Sequence, residues 1–171
     1  MRTLILLSGL LVLACVKPDR TKETDLHPAS YYEKCRLLTL SEDKIGVEFL
    51  FSRKLETVDE VIVVYLGNVV TSTRDTLKIV NAINFTGYTP ETKKGEGAVY
   101  IYSEQHKLLG YYFVGANWSL PSAVNADSLV FSYDNEFCNQ RTAISLRDSI
   151  PSKIFVNCTD SGGDLYTFEP N

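Results

Sequence analysis

From Cys35 onward, short apolar runs with a period of two recur between clusters of turn residues. This pattern limits the fold more than any other feature. Ile45, Val47, Phe49 and Phe51 alternate with Gly46, Glu48, Leu50 and Ser52. Side chains of a strand point alternately to opposite faces, so the first set is expected on one buried face. Val58 to Leu66 (VDEVIVVYL) is β-branched and turns apolar on both faces late in the run, as a central strand does. Thr76 to Ala82 is a shorter candidate. Gly97 to Ser103 and Lys107 to Gly115 flank Glu104-Gln105-His106 and read as a hairpin with a short loop. Ser128 to Tyr133, Arg141 to Leu146, Lys153 to Cys158 and Leu165 to Phe168 complete the set. Gly87, Pro90, Gly95, Pro121, Asn135, Pro151 and Gly162-Gly163 separate the runs. No segment holds a sustained 3.6-residue period, and Cys35 is expected to open the first strand. Many short strands with turns between them predict an all-β chain. The expected fold is an antiparallel β-sandwich of immunoglobulin-like or jelly-roll type, with a partly open barrel as the alternative. The longest irregular stretch expected is Ile83 to Glu96, followed by Ser119 to Ala126. Loops of this kind on a rigid scaffold are where binding concentrates.

The start of the chain has a different character. Arg2 precedes an apolar run from Leu4 to Leu13, followed by Ala14 and Cys15. Ten apolar residues are too few to span a bilayer, which takes about 20 at helical rise. They suit the apolar core of a cleavable signal. Val12-Leu13-Ala14-Cys15 resembles the lipobox of bacterial lipoproteins. The resemblance implies a signal peptide over residues 1–14, cleavage before Cys15, and diacylglyceryl and palmitate-type acylation at Cys15. Two or more acyl chains give stable anchoring. Bacterial lipoproteins held at the inner membrane often carry Asp directly after the lipidated cysteine. Val16 stands there, so the resemblance implies the outer membrane of a Gram-negative cell envelope. An ordinary secretory signal predicts the same cut and leaves a freely secreted domain.

Val16 to Ser30 is polar, carries both charge signs and contains Pro18 and Pro28. Such a segment buries too little apolar surface to offset its ordering entropy. Residues 15–30 are therefore expected to be the lipidated cysteine and its tether, and residues 31–171 a single β domain. With 17 basic and 21 acidic residues, and Arg2 lost with the signal, the domain is mildly acidic. It has no electrostatic footprint for nucleic acid. The sequence implies no cofactor, and the expected partners are a membrane, through the lipid, and a protein or glycan ligand.

The export compartment permits disulfides. Cys138 and Cys158 lie at the ends of adjacent expected strands and are the favoured pair, with Cys35 a competing partner for either. If Cys15 carries no lipid, four cysteines allow two bridges. No CxxC or Cys/His cluster suggests zinc. The oxygen-rich turns Asp134-Asn135-Glu136 and Asp160 to Asp164 lack an EF-hand spacing, and such turns form for backbone reasons alone.

No motif points to catalysis. A triad needs a base held within reach of a nucleophile. His27 lies in the tether, and His106 in a hairpin loop. Asp59-Glu60 and Glu42-Asp43, at expected strand starts, read as exposed. Among the aromatics, Trp118, in an expected loop, and Tyr112, on the strand face opposite Tyr111 and Phe113, are the candidate ligand-binding residues. Tyr100 and Tyr102 share one face of their strand, and packing is the expected use of most strand tyrosines. Asp75-Thr76-Leu77, Asp127-Ser128-Leu129 and Asp148-Ser149-Ile150 are similar to the O-glycosylation triplet of exported proteins in the Bacteroidota. That resemblance implies glycans on Thr76, Ser128 and Ser149. The asparagine triplets at Asn84, Asn117 and Asn157 matter only for a eukaryotic secretory route. The expectation is a non-catalytic, lipid-anchored binding module. A structural envelope protein is the alternative, and a carboxylate-driven glycan hydrolase is the remotest reading.

Overall fold

The computed structural model describes residues 27–53, 55–115 and 119–171. The expected signal peptide, Cys15 and Trp118 lie outside the described residues.

Among the described residues one α-helix, α1 (Pro28–Glu42), leads into ten strands. They are β1 (Glu48–Ser52), β2 (Val58–Val70), β3 (Thr76–Gly87), β4 (Lys94–Ser103), β5 (Leu108–Gly115), β6 (Ala123–Asn125), β7 (Ser128–Ser132), β8 (Arg141–Ser145), β9 (Lys153–Thr159) and β10 (Gly162–Pro170). Seven form one antiparallel sheet in the order β1-β2-β3-β4-β5-β10-β9, and three form a smaller sheet, β6-β7-β8. No barrel closes, since β1 and β9 are the edges of the larger sheet. The chain is an all-β sandwich with a helix on its outside.

Period-two patterning supplies the two faces. Leu77, Ile79, Val99, Ile101, Tyr112 and Val114 point from the larger sheet toward Leu129, Phe131 and Leu146 of the smaller one. The opposite face presents Val61, Val63, Tyr65, Val80, Ala82 and Tyr102 to Tyr31, Cys35 and Leu40 of α1. β2 is apolar on both faces because both are covered, by the small sheet on one side and by the helix on the other. The Glu104-Gln105-His106 hairpin forms as expected, closed by Ser103 N–H donating to the Lys107 carbonyl at 2.8 Å. Gly110 is required where β5 crosses β10, because the Phe168 ring and the Glu169 carbonyl fill the space a Cβ would need.

The structure corrects the sequence reading in four places. First, Cys35 does not open a strand, because it lies on α1. The helix begins at Pro28, inside the stretch expected to be tether, with Pro in its first turn and Asp43 closing it in the left-handed region at φ 52°. Its apolar stripe was hard to see. Arg36 and Thr39 sit on the buried face, while Leu38 faces solvent. Arg36 is tolerated there because its Nε donates to the Tyr102 hydroxyl at 2.8 Å and its guanidinium lies 3.8 Å from the Tyr100 ring centre. Tyr100 in turn stacks on Tyr111.

Second, Ile45 and Val47 are exposed, since β1 starts only at Glu48. Phe51 alone of the expected buried face packs beneath the helix. Third, Ile83 to Glu96 is mostly strand: β3 runs to Gly87 and β4 starts at Lys94, leaving a short turn between them. Fourth, Asp59 is buried rather than exposed.

Cys138 and Cys158 form a disulfide, with Cα atoms 4.4 Å apart. It ties the loop between β7 and β8 to the end of β9. Cys35 is not its partner, because it is buried under the helix on the other face. Bridging two residues 20 apart in sequence stabilises by about 3 kcal/mol on a chain-entropy estimate. Replacing both cysteines by serine should lower the urea midpoint, with a somewhat steeper slope because the unfolded chain loses its cross-link and exposes more surface. A cost under about 1 kcal/mol would mean that the unfolded chain is already restricted there.

Candidate functional site

The two ends of the sandwich differ in chemistry. At one end the turn between β2 and β3, the β4–β5 hairpin and the loop after β8 converge on a cleft of about 420 Å³. Thr71, Thr73, Asp75, Gln105, Asp148 and Ser149 supply its polar groups, and Leu77, Leu109 and Ile150 its apolar wall. The first turn is held rigidly. Thr73 Oγ1 donates to Asp75 Oδ2 at 2.7 Å, Asp75 N–H donates to Thr71 Oγ1 at 3.0 Å, and Thr71 N–H donates to the Asp75 carbonyl at 2.9 Å. Ser72 N–H donates to the Arg147 carbonyl at 2.7 Å, which docks this turn on the loop after β8. The cleft is thus built from three separate turns, each fixed by backbone bonds.

Asp75, Glu104 and Asp148 bring three carboxylates to this cleft. All three are exposed. The arrangement offers carboxylate acceptors, hydroxyls and the Arg74 side chain to a polar ligand. His106, beside the cleft, accepts a 2.8 Å hydrogen bond at Nε2 from Lys78 Nζ.

At the opposite end lies a second hollow of about 430 Å³, bordered by Tyr32, Leu55, Val58, Gly87 and Tyr88. Its floor holds an ion pair between Arg53 Nη1 and Asp59 Oδ2 at 3.0 Å, with side chains only 6% and 8% exposed. Asp59 Oδ1 also accepts from the Tyr32 hydroxyl at 2.7 Å. Burial, reinforced by that bond, pushes the Tyr32 hydroxyl well above the usual phenol range. The sequence carried no sign of this pair, since its partners come from β1, β2 and the helix.

The residues expected to bind a ligand are not brought together. Tyr112 is fully buried, and its hydroxyl donates to the Pro151 carbonyl at 2.6 Å. It is a core residue and presents no ring to a ligand, because its face of β5 is the one the small sheet covers. Trp118 is outside the described residues. Of the triplet residues, Ser149 is exposed, whereas Thr76 and Ser128 are half-buried. Ser128 Oγ donates to Asp127 Oδ1 at 2.8 Å. Thr76 and Ser149, from triplets 73 residues apart in sequence, line the same cleft. The acidic turn at Asn135 has a backbone purpose: its Oδ1 accepts from Phe137 and Cys138 N–H at 2.9 Å each. Among the described residues no group of three or more His, Cys, Asp or Glu side chains is placed to hold a metal.

No helix among the described residues is long and apolar enough to cross a membrane. No protein-family model, curated protein or solved structure matches this chain.

Proposed function

We propose that the protein is a lipoprotein anchored through Cys15 to the outer membrane, and that its sandwich is a non-catalytic module binding a protein or glycan ligand in the polar cleft. The observation that carries the reading is the position of that cleft. It opens at the end of the sheet remote from His27, where the chain enters the helix, so an anchored domain would hold it out toward ligands. Hydroxyls, amide and carboxylates above an apolar wall suit the hydroxyl-rich surface of a glycan.

The cysteines support the anchor. Cys138 and Cys158 are bonded to each other, and Cys35 is buried in the core. A freely secreted form with two bridges would have to join Cys15 to that buried sulfur. Cys15 carrying lipid needs no such rearrangement.

Binding of purified Gram-negative envelope polysaccharide to the mature protein tests the module. Gln105→Arg and Asp148→Arg fill the cleft from two of its turns and disturb no buried contact. Each should weaken binding by at least about 1.4 kcal/mol, a factor of ten, with an unchanged melting temperature. Equal binding by wild type and both variants would remove the cleft from the reading. A protein whose function survives every exposed loop substitution would be a structural envelope component instead.

A further inference from the structure

The end of the domain opposite the cleft carries exposed apolar side chains at its turns. Leu55, between β1 and β2, is 42% exposed, and Tyr88, between β3 and β4, is 86% exposed. Both border the same hollow, and Tyr32 from the second turn of α1 completes it. A turn between strands is ordinarily polar, so Leu and Tyr at two adjacent tips call for a partner.

The course of the chain indicates which partner. The helix starts at this same end: Tyr32 bonds to Asp59 at the start of β2, and Arg53 lies over the Tyr31 ring. Eleven residues separate Cys15 from His27. Fully extended, they reach no more than about 40 Å at 3.3–3.6 Å per residue. We infer that the end of the domain carrying Leu55 and Tyr88 seats on the lipid surface that holds Cys15, with the polar cleft directed away from it. The inference rests on the lipid-anchor reading and adds an orientation and a contact to it. Tyrosine, apolar in body and polar at its tip, suits the headgroup boundary, and leucine suits the acyl region beneath.

The contact is apolar rather than electrostatic. Arg53 is paired with Asp59, and Lys93 Nζ bonds to Glu60 at 2.7 Å. Of the other charges in and beside these two turns, Lys54 and Lys94 balance Glu56 and Glu91, so an anionic surface gains no net attraction. Salt should therefore leave the contact in place.

The test uses the full lipidated chain, reconstituted in vesicles of phosphatidylethanolamine and phosphatidylglycerol. An environment-sensitive dye is attached at Glu91→Cys, beside Tyr88, or at Gln105→Cys, in the distal hairpin. The native cysteines are lipidated, buried or disulfide-bonded, so the label goes to the new thiol. The dye at position 91 should shift to the blue at both low and high salt, and the dye at position 105 should not. Adding Leu55→Ser and Tyr88→Ser should abolish the shift at 91 without changing the melting temperature. An unshifted dye at 91 on a chain whose intact mass includes the lipid would overturn the orientation and leave the anchor standing. An intact mass without lipid would overturn both.

Discussion

Replacing Asp59 by alanine is expected to destabilise the domain by about 3–5 kcal/mol, because the change leaves the Arg53 guanidinium in a buried site without its carboxylate. Both side chains are more than nine-tenths buried and sit 3.0 Å apart. The same carboxylate accepts the Tyr32 hydroxyl, so one residue joins the first two strands to the helix. Domains of this size are stable by about 5–15 kcal/mol, so the loss is a large share of the whole. Urea unfolding should show it as a lower midpoint. Asp59→Asn keeps an acceptor for Tyr32 but removes the charge, and should fall between wild type and alanine. The double change Arg53→Met with Asp59→Leu should recover most of the loss, since an apolar pair of similar volume removes the desolvation cost from both partners. A loss under about 1 kcal/mol for Asp59→Ala would show that water in the adjoining hollow solvates the guanidinium, and that the pair behaves as a surface one.

The second large effect is unfolding by alkali. Tyr65, Tyr102 and Tyr112 are fully buried and Tyr133 nearly so. Burial pushes all four hydroxyls above the usual phenol value. For Tyr102 the Arg36 guanidinium works against burial without cancelling it. In the unfolded chain a tyrosine ionises near pH 10. Above that pH the unfolded chain has released protons that the folded chain still holds. Stability therefore falls as pH rises, by about 1.4 kcal/mol per unit for each such tyrosine. Tyr112 and Tyr133, shifted furthest, together remove roughly 3 kcal/mol per unit, and Tyr65 and Tyr102 add to the loss in the same direction, so the domain is expected to unfold in alkali above pH 10. Below pH 10 their contribution is fully present. Phenolate absorbance and circular dichroism, followed together in an alkaline titration, should change in one transition. Ionisation of all the tyrosines near pH 10 with the dichroism unchanged would mean that these rings are reached by water in the folded state.

These two results bear on the cleft as well as on stability. Tyr112 anchors β5 to the Pro151 carbonyl, and Pro151 follows directly on the loop that supplies Asp148 and Ser149 to the cleft. Removing that bond with Tyr112→Phe should therefore loosen the cleft while the sheet stays closed. The Asp59 pair lies at the other end, and its loss should leave the geometry of Thr71, Asp75 and Gln105 intact in whatever fraction remains folded.

The local chemistry of each segment was legible in the amino-acid sequence. Alternation of apolar and polar residues marked the strands, and Glu104-Gln105-His106 marked the hairpin, because side-chain direction and turn geometry depend on residues close together in the chain. The Cys138–Cys158 bridge was legible for a related reason: Cys158 lies at the end of β9, and Cys138 lies shortly before β8 in the loop that leads into it. The helix was missed because its buried face holds Arg36 and Thr39. Arg36 is acceptable there only once Tyr100 and Tyr102, from a strand more than 60 residues later in the sequence, receive it, while the Thr39 hydroxyl donates to the Cys35 carbonyl of its own helix. Asp59 read as solvated for a related reason: Arg53 faces it across the β1–β2 hairpin, but Tyr32 reaches the pair only when the helix lies across the sheet. Tyr112 and Tyr111 are adjacent and chemically alike, and only the stacking of the small sheet on one face decided which became core. The cleft depended wholly on tertiary structure. Its residues come from three turns whose spacing is set by the order of strands in the sheets, and strand order follows from pairing between distant segments that no local pattern encodes.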